Sequence, residues 1–279
     1  HREPCRVRAS FKAGLGSRAD VNETTVIGKG YIGIRYGRVA VMLLNIAESL
    51  GAAGDAPFRE FVRRDLTALW EHAWEDETGC FHAMLNDGTR LSPDDVEDVG
   101  YCPPAKLGAT PANGLMLLSY ARAGRVLGDD TFYRAALRLA EVMGWGRLAD
   151  GEFDADTART SLTGGPDDAF ALEGLLDLYR THEATHLLSA ATTLGQAMIE
   201  RHSVDGVFAA LGDGGDAFPL AGASDEDSTR CTGIDSALPV ALLHLTSLLS
   251  PGAASPPLFV PCLSYFDPKI LARQRGLRP

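Results

Sequence analysis

The sequence predicts an all-α fold, a partial α/α toroid of helical hairpins with short β-hairpins in its loops. Three observations lead there. Apolar residues recur with the helical period over long stretches. These stretches come in antiparallel pairs around short turns. Short segments with strand and turn character separate the pairs.

The first pair opens with RYGRVAVMLLNIAESLG (35–51), apolar on one broad face and closed by Gly51. APFREFVRRDLTALWEHAW (56–74) reads as its antiparallel partner. NGLMLLSYARAGRVLG (113–128) turns at Asp129-Asp130 into TFYRAALRLAEVMGW (131–145). DDAFALEGLLDLYR (167–180) turns into HLLSAATTLGQAMIE (186–200). IDSALPVALLHLTSLL (234–249) opens a further unit with no partner helix after it. The hairpins thus span about 35–74, 113–145 and 167–200, with a last helix at 234–249, in one domain over 1–279. Between them, CFHAMLNDGTRL (80–91) carries Asn86-Asp87-Gly88, a hairpin-turn signal, and DGVFAALGDGGDAF (205–218) reads as a second ribbon.

About six or seven hairpins close a ring of this kind, against three and a half here. The chain therefore reads as about half a toroid, and His1 in place of an initiator Met points to a processed or truncated chain. Half a ring leaves apolar flanks of inner helices uncovered, so self-association is expected. An open α-solenoid that binds a peptide on its concave face is the non-enzymatic alternative.

HEATH, His182 to His186, fits the H-E-x-x-H pattern of zinc proteases. That chemistry needs both imidazoles on one helix face. The repeat instead places HEATH in the turn of the third hairpin, because LGDDTFYRAALRLAEVM and HEATHLLSAATTLGQAM both read as a turn and then an Ala-rich outer helix. No third ligand follows at a recognisable spacing.

Composition bounds the partners. The chain is 45% hydrophobic and 23% charged, with a net charge of −11. Duplex nucleic acid needs clustered Lys and Arg and is disfavoured, whereas a local basic cleft still admits a polyanion. No apolar run reaches a membrane span, and no basic-then-apolar signal peptide is visible in the sequence from His1. Cys5, Cys80, Cys102, Cys231 and Cys262 are odd in number and share no C-x-x-C spacing, so they read as reduced thiols.

AMLNDGTRLSPDDVEDVGYCPPAK (83–106) carries a resemblance. An Asn-Asp-Gly-Thr turn, an acidic loop, Val-Gly-Tyr, the Lys106 and Gly108 loop and then LMLLSYAR (115–122) are similar to the family 2 polysaccharide lyases, the pectate lyases on an (α/α)7 toroid. IDSALPVALLHLTSLL followed by SYFD (264–267) resembles that family's ending, and VAVMLLNIAESLG (39–51) before a long outer helix fits it too. The resemblance spans most of Arg6–Asp267. It implies cleavage of polygalacturonate by β-elimination, with an arginine base and a divalent metal ion held by His and Glu residues. Base and ligands are expected outside this chain, which by itself would bind no metal. A bacterial cytoplasm or periplasm is the expected compartment. An (α/α)6 glycoside hydrolase or sugar epimerase is the alternative within enzymes.

What remains for the chain is a wall of cations and aromatics that binds uronate carboxylates. Arg8, with Arg6 and Lys12, is one basic cluster, and a solvated terminus is its bland reading. Lys29, Arg35 and Arg38 flank the first inner helix beside Tyr31 and Tyr36. Arg90, Tyr101 and Lys106 lie in the resembling segment, where a surface loop over a packed Tyr is the plain alternative. His72 and His82 are lone histidines, more often neither ligand nor base. Asp167-Asp168 could serve a hydrolase as general acid but also suit the first turn of a helix, as Asp235 suits an N-cap. Trp70, Trp74 and Trp145 read as core packing.

Overall fold

The computed structural model describes residues 37–51, 55–82, 90, 109–163, 166–204, 207–208, 234–250, 252 and 258–259. Within these, α1 (Arg38–Leu50) and α2 (Ala56–Ala68) form the first hairpin, and α2 runs through a π-turn (Leu69–Ala73) into β1 (Trp74–Glu75). β2 (Cys80–Phe81) and β3 (Thr110–Pro111) follow, then α3 (Gly114–Leu127) and α4 (Asp130–Val142). After a 3-10 turn (Leu148–Asp150) come α5 (Ala155–Thr160), α6 (Pro166–His182) and α7 (Thr185–His202). β4 (Ser203–Val204), β5 (Val207–Phe208) and α8 (Ile234–Leu249) complete the order.

The fold is all-α, with hairpins set side by side in the manner of an α/α toroid and short strands in the loops. α1, α3, α6 and α8 stand in a row, each against the next. α2, α4 and α7 pack back onto α1, α3 and α6. A helix inside such a row is covered on both flanks and from behind, and α3 accordingly buries residues all around its circumference. Its ends follow local chemistry. The Asn113 side chain accepts from Met116 N at 3.0 Å, and Gly128 closes the helix with φ +64. Asp129 and Asp154 cap α4 and α5 in the same way.

HEATH lies in the turn, as the repeat demands. α6 stops at His182, Glu183 takes φ +53, and α7 starts at Thr185. The two histidines therefore belong to different helices, and the His182 ring meets Tyr133 edge-on at 4.4 Å.

The ribbons differ from expectation. Cys80–Phe81 does not pair first across an Asn86–Gly88 turn. It pairs antiparallel with β1 on one side (Trp74 opposite Phe81) and β3 on the other (Phe81 opposite Thr110). The reversal before it is Asp76–Gly79, where Gly79 takes φ +65. The end of α2 and the segment entering α3 supply the partners, and residues 83–89 lie outside the described residues. The second ribbon starts at Ser203, with Ser203 opposite Phe208 and Val204 opposite Val207, and its stretch beyond 208 lies outside the described residues. The Cys80 thiol is free. On α1, Met42, Ile46 and Leu50, one turn apart, are 42%, 40% and 51% exposed.

α3 and α6 approach most closely, and a glycine on each makes it possible. A Cβ on Gly114 would lie 2.1 Å from the Asp167 carbonyl oxygen, and one on Gly174 would lie 2.8 Å from Leu117 Cγ. The two helices are tied at their starts by Asp167. Its Oδ2 accepts from Gly114 N at 2.7 Å and its Oδ1 from Leu115 N at 3.0 Å. Burial pushes this carboxyl up to about 6, the two N–H groups pull it down, and the Asp168 charge adds to the rise.

Nearer the other end of the row lies a buried ionic network. Arg122 of α3 donates to Asp177 (2.7 Å) and Glu173 (3.3 Å) of α6 and to Asn45 of α1 (2.7 Å). Arg125 bridges Asp177 (2.8 Å) and both oxygens of Glu48 (2.6 and 2.9 Å). Arg180 reaches Asp177 at 3.1 Å, and His244 Nδ1 of α8 lies 2.6 Å from Glu173 Oε1. Glu173 and Asp177 are fully buried. Burial alone would raise the Asp177 carboxyl, but Arg122, Arg125 and Arg180 outweigh it and hold it well below the usual carboxylate range.

Two expectations follow for stability. Asp177→Asn leaves arginines short of charge, and at pH 7 it lowers the unfolding free energy by about 3–5 kcal/mol. The folded carboxyl is depressed, so its contribution is present above the unfolded pKa of about 4 and is lost progressively as pH falls from there toward the much lower folded pKa. Urea melts of both proteins at pH 7 and at about pH 2.5 check this, and a gap that stays constant refutes it. Asp167 has the opposite sign. Its folded pKa is raised, so its contribution is present below about 4 and lost as pH rises through about 6. Asp167→Asn therefore gains on the wild type between pH 4 and pH 7, read as thermal midpoints.

Candidate functional site

α1, α3 and α6 begin at the same end of the row, and that end is the candidate mouth. The start of α1 is pressed onto α3, since a Cβ on Gly37 would lie 2.7 Å from Ser119 Oγ and 3.0 Å from Leu115 Cγ. The α3 start is filled by Asn113 and Asp167. The α1 start has no side-chain cap and no acidic residue in its first turn, and it carries Arg38 there. A helix N-terminus is itself a partial positive charge.

The three-stranded sheet flanks the mouth, because β3 leads directly into α3. Its outer end is organised by Glu75. That carboxylate takes hydrogen bonds from Thr78 Oγ1 (2.8 Å) and Arg90 Nη1 (2.9 Å) and lies 2.9 Å from His82 Nε2. The Thr78 bond first, then His82 and Arg90, hold the Glu75 carboxyl below its ordinary value. Arg90 also donates to the His72 carbonyl at 2.9 Å and to the Trp74 carbonyl at 2.5 Å. All its nitrogens are therefore engaged, and its charge is met by Glu75. Arg90 pins the end of the π-turn to the sheet. Beneath, Trp70 stacks on Trp74 at 5.0 Å, with Phe81 and Tyr120 against them. The Tyr120 hydroxyl donates to the Leu66 carbonyl, and burial pushes its phenol well up. These tryptophans are packing, as is Trp145, 1% exposed.

Of the cations picked from the sequence, Arg38 and Arg90 are described, one on the α1 start and the other on the sheet. Arg8, Lys29, Arg35, Tyr101 and Lys106 lie outside the described residues. His82 is a partner of Glu75, and His72 contributes its carbonyl. Both oxygens of Asp167 are taken by backbone N–H groups and Asp168 Oδ1 by Thr163, which makes this pair ties rather than a general acid. Glu75 and the Arg122 network were missed. The available signal for the network was Glu173 and Asp177, one turn apart on the otherwise apolar LEGLLDLYR.

Among the described residues no group of three or more His, Cys, Asp or Glu side chains is placed to hold a metal ion. The described residues thus give no place for the divalent ion that the resemblance implies. Nor is any described helix long and apolar enough to cross a membrane.

The architecture is that of helical hairpins set as in an α/α toroid, with the inner-helix starts as the candidate mouth. The family model of the periplasmic pectate lyases matches residues 6–267. That is nearly the whole of the 279 residues, and the chain belongs to the periplasmic pectate lyase family.

Proposed function

We propose that the chain takes polygalacturonate and serves its cleavage by β-elimination. The family match over residues 6–267 carries this reading. In the reaction a base removes the C5 proton of the uronate. The electron pair forms the C4=C5 double bond, and the C4–O4 bond breaks, its electrons leaving on O4. The C5 proton is only weakly acidic beside an ionised carboxylate. Positive charge on that carboxylate lowers its pKa and holds the enolate that develops. The arginine base of the resemblance is part of the proposal without an assignment to a residue of this chain.

The chain's own share is binding and orientation at the mouth. Arg38, at the positive end of α1, is proposed as a contact for a uronate carboxylate. Arg8, Lys29, Arg35, Tyr101 and Lys106 are proposed as further contacts along the same acidic polysaccharide. Arg90, committed to Glu75 and two carbonyls, is proposed to hold the sheet in place rather than to bind a uronate.

Incubation with polygalacturonate is expected to raise ultraviolet absorbance as the conjugated C4=C5 bond appears, and EDTA is expected to suppress the rise if the implied divalent ion takes part. Reducing ends without absorbance would mean hydrolysis and would sink the lyase reading. Arg38→Ala is expected to lower kcat/KM about tenfold or more, mostly through KM, the scale of a lost charged hydrogen bond. Arg90→Ala is expected to lower Tm and leave KM near wild type. The reverse pattern would exchange the two roles.

A further inference from the structure

Gly37 is a glycine that its own backbone does not require. Its φ of −58 and ψ of −43 are ordinary right-handed helical values, open to any residue. Alanine in that conformation would normally be the more stable choice, because it has less freedom to lose on folding. The reason for glycine lies across the helix interface. Gly37 is buried, and a Cβ there would lie 2.7 Å from Ser119 Oγ, 3.0 Å from Leu115 Cγ and 3.3 Å from the Leu115 carbonyl oxygen.

Neither neighbour gives way easily. Ser119 is 0% exposed and donates its hydroxyl to the Leu115 carbonyl at 2.6 Å, so turning it aside costs a buried hydrogen bond. The Leu115 N–H is held at 3.0 Å by Asp167 of α6. Leu115 is therefore the residue on which the starts of all three inner helices converge. Asn45 and Glu48 tie α1 to Arg122 and Arg125 of α3, but more than two turns further along. At the mouth the two helices meet through glycine on serine, close to the smallest spacing that side chains allow.

We propose that the Gly37–Ser119 contact is a spacer that sets where the α1 start stands in the mouth, which makes Gly37 a positioning residue for uronate binding; this rests on the binding mouth proposed above. Bulk at residue 37 pushes the α1 start, and Arg38 beside it, away from α3. The rest of α1 stays anchored through Asn45 and Glu48. A displacement of that kind weakens binding without unfolding the chain.

The test is calorimetric binding of a galacturonate oligomer to the full chain, with the ultraviolet assay run beside it. Gly37→Ala is expected to raise Kd about fivefold or more with helical circular dichroism unchanged. Adding Ser119→Ala removes the atom at 2.7 Å and is expected to bring Kd back to within about twofold of wild type. A folded Gly37→Ala protein that binds like wild type would overturn the spacer, and so would weakened binding that Ser119→Ala does not relieve. Should Gly37→Ala not fold, the double variant decides. Folded and binding like wild type, it upholds the spacer; unfolded or weakly binding, it overturns it. Wild-type binding with no gain in absorbance would remove the lyase reading alone, and the variants would still decide the spacer. No binding by the wild type would remove the mouth and the spacer together.

Discussion

Arg122 carries a guanidinium into the interior of a helical array, 3% exposed, and the array is arranged around that fact. An ion in such a place is costly unless every donor is met with good geometry. Asn45 meets it from α1, and Glu173 and Asp177 meet it from α6, so three helices must agree on one register. A slide of one helix by a turn, about 5.4 Å, would part the ions and leave each of them buried alone. Apolar packing tolerates such slides far better, because Leu on Leu is much the same one turn along. Packing therefore brings the hairpins together, and the Arg122 network fixes how they sit. Glu48, Arg125, Arg180 and His244 extend the fixing to the edges of the row.

The mouth inherits its geometry from two ties on the same pair of helices. At their starts Asp167 holds α6 to the backbone of α3. Two to three turns further along, Arg122 holds α3 to Glu173 and Asp177 of α6. Gly114 at the first tie and Gly174 between the two let the backbones come close. A pair of helices fixed at both ends has little freedom left, and that is what a binding edge needs if charges are to meet a substrate already in position. The sheet is fastened to the same frame through β3, and Glu75 with Arg90 keeps its free end against the π-turn.

The parts of this that were legible in the sequence are those that depend on near neighbours. Helix periods, the Asn113 and Asp129 caps and the Gly128 stop are all encoded within a few residues, and the hairpins fell where they predict. HEATH was resolvable for the same reason, by comparison with another turn of the repeat. What escaped is long-range. Arg122 and Asp177 are 55 residues apart, and nothing near either announces the other. β2 was read as half of its own hairpin because Asn86-Asp87-Gly88 is a strong local signal, while its partners come from the end of α2 and the approach to α3. Arg90 looked like a uronate ligand because it is a cation near aromatics. Its partner within the fold, Glu75, lies 15 residues earlier, and nothing in the sequence singles it out. Asp167 looked like any first-turn acid, and only the adjacent helix gives it two donors.

The charge balance then constrains how a polyanion could be accommodated. With a net charge of −11, the protein as a whole repels a polyuronate. Most described arginines are already matched: Arg59 with Asp55, Arg90 with Glu75, Arg122 and Arg125 with Asp177, Arg138 with Asp76, Arg147 with Glu152 and Arg159 with Glu200. A guanidinium paired with a carboxylate offers a second carboxylate little, since the new anion must displace the first or share its donors. Attraction must therefore come from a place where positive potential is not cancelled on site. Among the described residues the α1 start has the helix dipole and no acidic side chain in its first turn. The α3 start, chemically its equal, is closed by Asp167. The same carboxylate that ties the inner helices together thus removes one anion site from the mouth and leaves the neighbouring one as the edge where a uronate would be drawn.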